Sequence, residues 1–123
     1  MTNSNLVITK APRGYDIAFR SIQQLDHSTT NHMFRMLVQN MKEAYEETIG
    51  WNEEEKYEEF THKDGKFLIA VDSSNSQEIL GFCYFRFERE GEADVIYCYE
   101  LQVRVEYRHK HIGYELMKVS NTY

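Results

Sequence analysis

Proline is almost absent from this sequence, with one residue in 123, and cysteine is limited to two. A chain so poor in proline and carrying nine Tyr and seven Phe suggests ordered strands and helices with aromatic faces. Basic charge is also in deficit: 14 Lys and Arg stand against 20 Asp and Glu, a net charge of −6. That balance argues against a nucleic-acid partner, because phosphate binding is driven by Lys and Arg. It suits a basic partner such as a Lys/Arg-rich peptide, or simply solubility. No apolar run approaches the roughly 18 residues of a membrane helix, and Met1 to Lys10 has no apolar signal core. Cys83 and Cys98 sit inside apolar runs, where buried free thiols of a reducing compartment are expected. The expectation is a soluble, intracellular chain. The five histidines do not combine with cysteines at ligand spacings, so no metal is assigned.

What is present reads as one domain with 41% hydrophobic residues, enough for a packed core. Residues 1–14 are rich in Thr, Asn and Ser and read as a loose arm; the folded domain runs over residues 15–123. Tyr15 to Ile22 alternates apolar and polar residues, as a short strand does. Met33, Phe34, Leu37, Val38, Met41, Ala44 and Tyr45 form one helical stripe, starting among Asp26 to Thr30 and ending near Gly50. Asn52 followed by three glutamates reads as the cap of a second helix carrying Tyr57 and Phe60 inward and stopping at Asp64-Gly65. Lys66–Asp72, Glu78–Glu88 and Asp94–Arg104 then read as three strands joined by polar turns, an antiparallel meander. A last helix spans Gly113 to about Val119.

The unit from Val95 to Met117 is a strand, a basic loop and a helix. Helix first-turn amides lack intrahelical partners and sit at the positive end of the dipole, so a loop carrying Arg108 and Lys110 there can hold a pyrophosphate. A basic surface turn that binds nothing has the same composition. Tyr97 and Tyr99 alternate with Cys98 and share one sheet face, where core packing is the plain reading. Glu100 on the same strand reads by itself as a strand-end surface carboxylate. Glu46, Glu47, Glu53, Glu54, Glu55, Glu58 and Glu59 either steer a basic peptide or form a solvated helix face.

The order strand, helix, helix, three-strand meander and Arg-x-x-x-x-Gly before a helix resembles the GNAT acetyltransferases. Within that superfamily NMKEAYEE (Asn40 to Glu47), Gly50-Trp51, KFLIAV, FRFE and above all Tyr97-Cys98-Tyr99-Glu100 resemble the N-alpha-acetyltransferase D branch, over roughly residues 15–118. The resemblance implies an α/β (α+β) acyl-CoA N-acyltransferase fold, here lacking the C-terminal strands and helix. It implies transfer of acetyl from acetyl-CoA to the N-terminal amine of histone-like tails, of the 4 and 2A types, in cytoplasm and nucleus. Glu100 matches the general base, with Tyr99 beside it in the catalytic pair. Tyr45, Trp51, Glu88 and Tyr97 match substrate-binding positions. Backbone amides of Leu101, Gln102 and Val103 match the pantetheine site, and Arg108, His109, Lys110, His111, Ile112 and Gly113 match the pyrophosphate loop.

Three departures accompany the resemblance. His111 replaces the loop's first glycine, at a position that suggests φ > 0. Ile49 stands where the family has a further Trp. The chain ends where the family continues, which implies an open edge on the Val95–Arg104 strand and reduced activity. A catalytically inactive remnant that binds a peptide or partner chain is the alternative from another functional class.

Overall fold

The computed structural model describes residues 7–10 and 14–120, with backbone alone for residues 7–10, Ser76, His109 and Lys110. Five strands form one antiparallel sheet in the order β1-β2-β3-β4-β5. They are β1 Val7–Lys10, β2 Tyr15–Ser21, β3 Lys66–Asp72, β4 Asn75–Glu90 and β5 Ala93–Val103. The helices are α1 His27–Thr48, α2 Glu53–Phe60 and α3 Ile112–Ser120, with short 3-10 turns at Ile22–Gln24 and Val105–Lys110. The expected order of strand, two helices, three-strand antiparallel meander and last helix is thus observed, in an α/β architecture.

Helices cover both sheet faces because each strand alternates two sets of apolar residues. One face gathers Phe67, Ile69, Phe82 and Tyr84 against Met33, Phe34 and Leu37 of α1 and Phe60 of α2. The other gathers Ile17, Leu68, Cys83 and Phe85 against Ile112, Leu116 and Val119 of α3. Helix α1 starts where Asp26 accepts from the Thr29 amide at 2.7 Å. Its stripe is buried through Leu37, then weakens: Met41 and Tyr45 are half-buried and Ala44 is exposed. Tyr45, in the last turn of α1, lines a cleft together with residues of α2.

Three sequence-based boundaries and one burial expectation need correction. Val7–Lys10, inside the expected loose arm, pairs with β2 as an edge strand. Helix α2 ends at Phe60, short of Asp64-Gly65. Strand β4 runs from Asn75 to Glu90, because its polar ends continue pairing toward both hairpins. Cys98 is exposed, whereas Cys83 is buried. Strand β5 pairs with β4 alone, so its other edge carries no strand among the described residues. No helix among the described residues is long and apolar enough to cross a membrane, and none of their His, Cys, Asp and Glu groups forms a metal-holding cluster.

Candidate active site

An irregularity in β5 builds the site. Tyr84 of β4 lies opposite Glu100, but the next residue, Phe85, lies opposite Cys98, which leaves Tyr99 unopposed. An extra residue of this kind is a β-bulge. Strict alternation from Tyr97 would send Glu100 to the face of Cys98. The bulge instead puts Tyr99 and the Glu100 carboxylate both on the α1/α2 face, Tyr99 against Tyr84 at 5.4 Å between ring centroids. The surface-carboxylate reading of Glu100 is thereby overturned: only 5% of the residue is exposed.

Three elements supply partners to the Glu100 carboxylate. Tyr45 of α1 donates its hydroxyl to Oε2 at 3.4 Å, and Lys56 of α2 places Nζ 2.5 Å from the same oxygen. Gln102 donates Nε2 to Oε1 at 3.0 Å. Gln102 in turn accepts from Asn40 Nδ2 at 2.9 Å, which ties α1 to β5. Asn52 caps α2 by accepting from the Glu55 amide at 3.1 Å, and so sets Lys56 one turn into that helix. Tyr45 stacks on Trp51, with centroids 5.8 Å apart and planes at 18°. The two rings, Lys56, Glu55 and Glu59 line an open cleft of about 490 Å³.

Burial pushes the Tyr45 hydroxyl above its ordinary pKa, and the negative charge of Glu100 adds to the rise. Burial works against the Lys56 charge, but the Glu100 and Glu59 carboxylates outweigh it and hold the ammonium above its usual value. Behind the cleft lining, the Glu100 carboxylate therefore already carries a cation, the Lys56 ammonium.

A second group lies further along β4 and β5. Tyr99 donates its hydroxyl to Glu88, and the Arg86 guanidinium lies 4.4 Å from the Tyr99 ring centroid. Arg86 also donates to Tyr84 Oη and to the Glu59 carbonyl, each at 2.8 Å, linking this group to α2. Hydrogen bonding to Glu88 raises the Tyr99 pKa. Tyr97 donates to Glu90 at 2.7 Å and is 46% exposed, outside the residues that line the cleft. The fold thus brings together Tyr45, Trp51 and Glu100, sets Tyr99 with Glu88 beside them, and leaves Tyr97 at the periphery.

Lys56, Arg86, Asn40 and the Gln102 side chain carry this geometry without having been singled out from the sequence. Lys56 left one signal: it is the sole basic residue in the helix sequence EEEKYEEF.

The third group is the turn into α3. His111 adopts φ 60°, ψ 21°, the left-handed conformation expected for a residue in a glycine's place. Helix α3 follows directly, and a Cβ on Gly113 would lie 3.7 Å from Val103 Cγ2, so the helix start sits against the end of β5. Arg108 is exposed and donates to the Val103 carbonyl at 3.3 Å. The side chains of His109 and Lys110 lie outside the described residues. The first-turn amides of Ile112 and Gly113, the Arg108 cation and the open edge of Leu101 to Val103 fit a pyrophosphate with an arm running along β5. Glu115, in the same first turn, is the one acid there and opposes it.

A family model described as the acetyltransferase (GNAT) family matches residues 30–120. Among solved structures, the ribosomal-protein-alanine N-acetyltransferase of Brucella melitensis biovar Abortus 2308 is 17% identical, with a TM-score of 0.58 over 88% of this chain and 70% of its own. An aminoglycoside acetyltransferase from an uncultured soil metagenomic sample, solved with sisomicin, is 15% identical, with a TM-score of 0.62 over 92% of this chain and 71% of its own. The glucosamine N-acetyltransferase region of a fungal multi-domain β-N-acetylglucosaminidase is 16% identical, with a TM-score of 0.62 over 90% of this chain and 12% of that protein. At such identities the likeness establishes the fold alone.

Proposed function

The chain belongs to the GNAT family of acetyltransferases, and from that premise we propose that it acetylates the N-terminal amine of proteins, with basic histone-like tails, of the histone 4 and 2A types, as its substrates. The donor in this reading is acetyl-CoA, which supplies an activated acyl carbonyl and a thiol leaving group when bound. In this reading the reaction runs in cytoplasm and nucleus, as the resemblance to the N-alpha-acetyltransferase D branch implies.

The observation that carries the proposal is the buried Glu100 carboxylate, which contacts Lys56 and Tyr45 from behind the lining of an aromatic, acid-lined cleft. An N-terminal ammonium has to lose a proton before its nitrogen can attack a carbonyl. Glu100 is the carboxylate placed to take it, directly or through one water. Gln102 and Tyr45 fix the orientation of that carboxylate. Tyr45 and Trp51 wall the chain that follows the amine, and Tyr99 stands at the bulge beside Glu100. Glu88, Glu90 and Tyr97 give basic side chains of a tail a second acidic place further along the sheet. Residues Arg108 to Gly113 hold the pyrophosphate, and the backbone of Leu101 to Val103 takes the pantetheine arm and polarises the thioester carbonyl.

The test is steady-state acetylation of a Ser-Gly-Arg-Gly peptide, with an N-capped lysine peptide as the side-chain control. Glu100→Gln is expected to lower turnover by roughly 10²–10⁴-fold, the usual contribution of a general base, while acetyl-CoA binding changes little. Near-normal turnover of that variant from about pH 6 to 9 would remove Glu100 from the mechanism. A lysine control that reacts as well as the free N-terminus would remove the N-terminal specificity. Peptide binding without any acetyl transfer would favour the binding-only alternative.

A further inference from the structure

Lys56 and Glu100 form an ion pair with side-chain exposures of 16% and 4%. Burying such a pair costs desolvation on both sides, and apolar residues would stabilise the same spot at least as well. Fold stability is thus a weak reason for it, since α2 is already held by the Asn52 cap and by Phe60 in the core. The geometry around the ammonium is more informative. Lys56 Nζ lies 2.5 Å from Glu100 Oε2, 3.4 Å from Glu59 Oε2 and 5.3 Å from the centroid of the Tyr45 ring. Two carboxylates and an aromatic face are the set that recognises any primary ammonium. The cleft opens onto this point, with Lys56 and Glu59 among its lining residues.

We infer that Lys56 is a tethered competitor of the acceptor: its ammonium occupies the seat of the incoming amine on Glu100 and withdraws when that amine enters. The inference rests on the reading of Glu100 as the carboxylate that receives the acceptor amine. Exchange keeps charge compensated throughout. The entering ammonium replaces the leaving one on Glu100, so no buried carboxylate is left alone. The displaced ammonium has a place to go, because Glu59 is already within reach and Glu55 lines the same cleft. A lysine suits this exchange, because its flexible four-carbon stem carries a single compact charge, whereas an arginine would grip the carboxylate with a planar fork. Lys56 therefore sets acceptor affinity through Glu100 and excludes neutral or capped chain ends, which bring no charge to exchange.

The experiment uses the whole chain and the same Ser-Gly-Arg-Gly peptide, with its N-acetylated form as control. Trp51, the single tryptophan, stacks on Tyr45 and reports occupancy of the cleft by fluorescence. Lys56→Met is expected to bind the free-amine peptide about tenfold more tightly, with the capped peptide unchanged. Lys56→Arg is expected to bind the free-amine peptide more weakly than the parent. The unaltered protein gives an independent reading through a short pulse of acetic anhydride, read by mass spectrometry. Labelling at Lys56 should rise several-fold when the free-amine peptide is bound and stay constant with the capped one. Constant or reduced labelling with the free-amine peptide bound overturns the inference, as does unchanged or weaker binding by a folded Lys56→Met. Displacement of Lys56 without acetyl transfer sinks the enzymatic reading and leaves the competitor in place. Glu100-dependent turnover with unmoved Lys56 labelling sinks the competitor alone.

Discussion

The sulfurs of Cys83 and Cys98 lie 3.5 Å apart on neighbouring strands, one buried and the other exposed. The hydrogen bond from Cys83 stabilises the Cys98 thiolate and lowers its pKa, outweighing the opposing effect of burial. The same pairing, together with burial, pushes the Cys83 thiol far up. Thiolate is the reactive form, so the two cysteines should differ sharply in reactivity. Iodoacetamide near neutral pH is expected to modify Cys98 in the folded protein and to reach Cys83 only after unfolding. Peptide mapping by mass spectrometry checks this; equal labelling of both sites in the native state would contradict it.

The Lys56–Glu100 ion pair gives stability a particular pH dependence. Lys56 is held above its ordinary value of 10.5, so folding favours its protonated form. That contribution is complete below the unfolded value and is lost as pH rises through the folded one. Tyr45 is also raised, with burial favouring its neutral form, and it acts in the same direction over the same alkaline range. Unfolding free energy from urea titrations should fall above about pH 10, and Lys56→Met should flatten that fall. A variant as steep as the parent would show that the pair contributes nothing to folding.

Local periodicity made most of this fold legible. The helical stripe from Met33 to Leu37 and the continuous apolar run inside Lys66–Asp72 are both local signals, and both elements form where those signals place them. Strand β1 has no such signal, because Val7–Lys10 is short, lies in a polar segment and gains its hydrogen bonds by pairing with β2, the next strand along the chain. The site was only half legible. Tyr45, Trp51 and Glu100 came from resemblance, and the fold does assemble them. The bulge at Tyr99 depends on how many residues of β4 face β5, a property of the pair of strands. Lys56 of α2 reaches Glu100 of β5 through the tertiary fold, and spacing within either segment contains no trace of the contact.

His111 is the only described non-glycine residue with positive φ. A side chain in that conformation carries strain of roughly 1 kcal/mol, part of which glycine relieves and part of which its greater unfolded-state entropy offsets. His111→Gly is therefore expected to leave stability equal or up to about 1 kcal/mol higher. It should also strengthen CoA binding, since the bare backbone approaches a phosphate more closely. Calorimetric titration with CoA and thermal unfolding of the two proteins check both halves; weaker binding by the variant would remove the strain argument.

Two glycines near β5 should respond to alanine with opposite signs. A Cβ at Gly81 of β4 would lie 2.8 Å from the Gln102 carbonyl oxygen and 3.2 Å from Val103 Cα. Those are backbone atoms, so only a parting of β4 and β5 relieves the clash, at about 1–3 kcal/mol. The same displacement moves Gln102, which positions Glu100, so turnover of the folded fraction should fall as well. At Gly113 a Cβ would meet only Val103 Cγ2 at 3.7 Å and Leu101 Cδ2 at 3.9 Å, both ordinary contacts. Alanine there should stabilise α3 by roughly 0.5–1 kcal/mol, because it restricts the unfolded chain. It should nonetheless weaken CoA binding, since the added methyl stands at the helix start assigned to the pyrophosphate. Urea unfolding measures the two stabilities and calorimetry the CoA affinities. Gly113→Ala with unaltered CoA affinity would move the pyrophosphate away from the α3 N-terminus, and Gly81→Ala with full stability would show that the strands separate without cost.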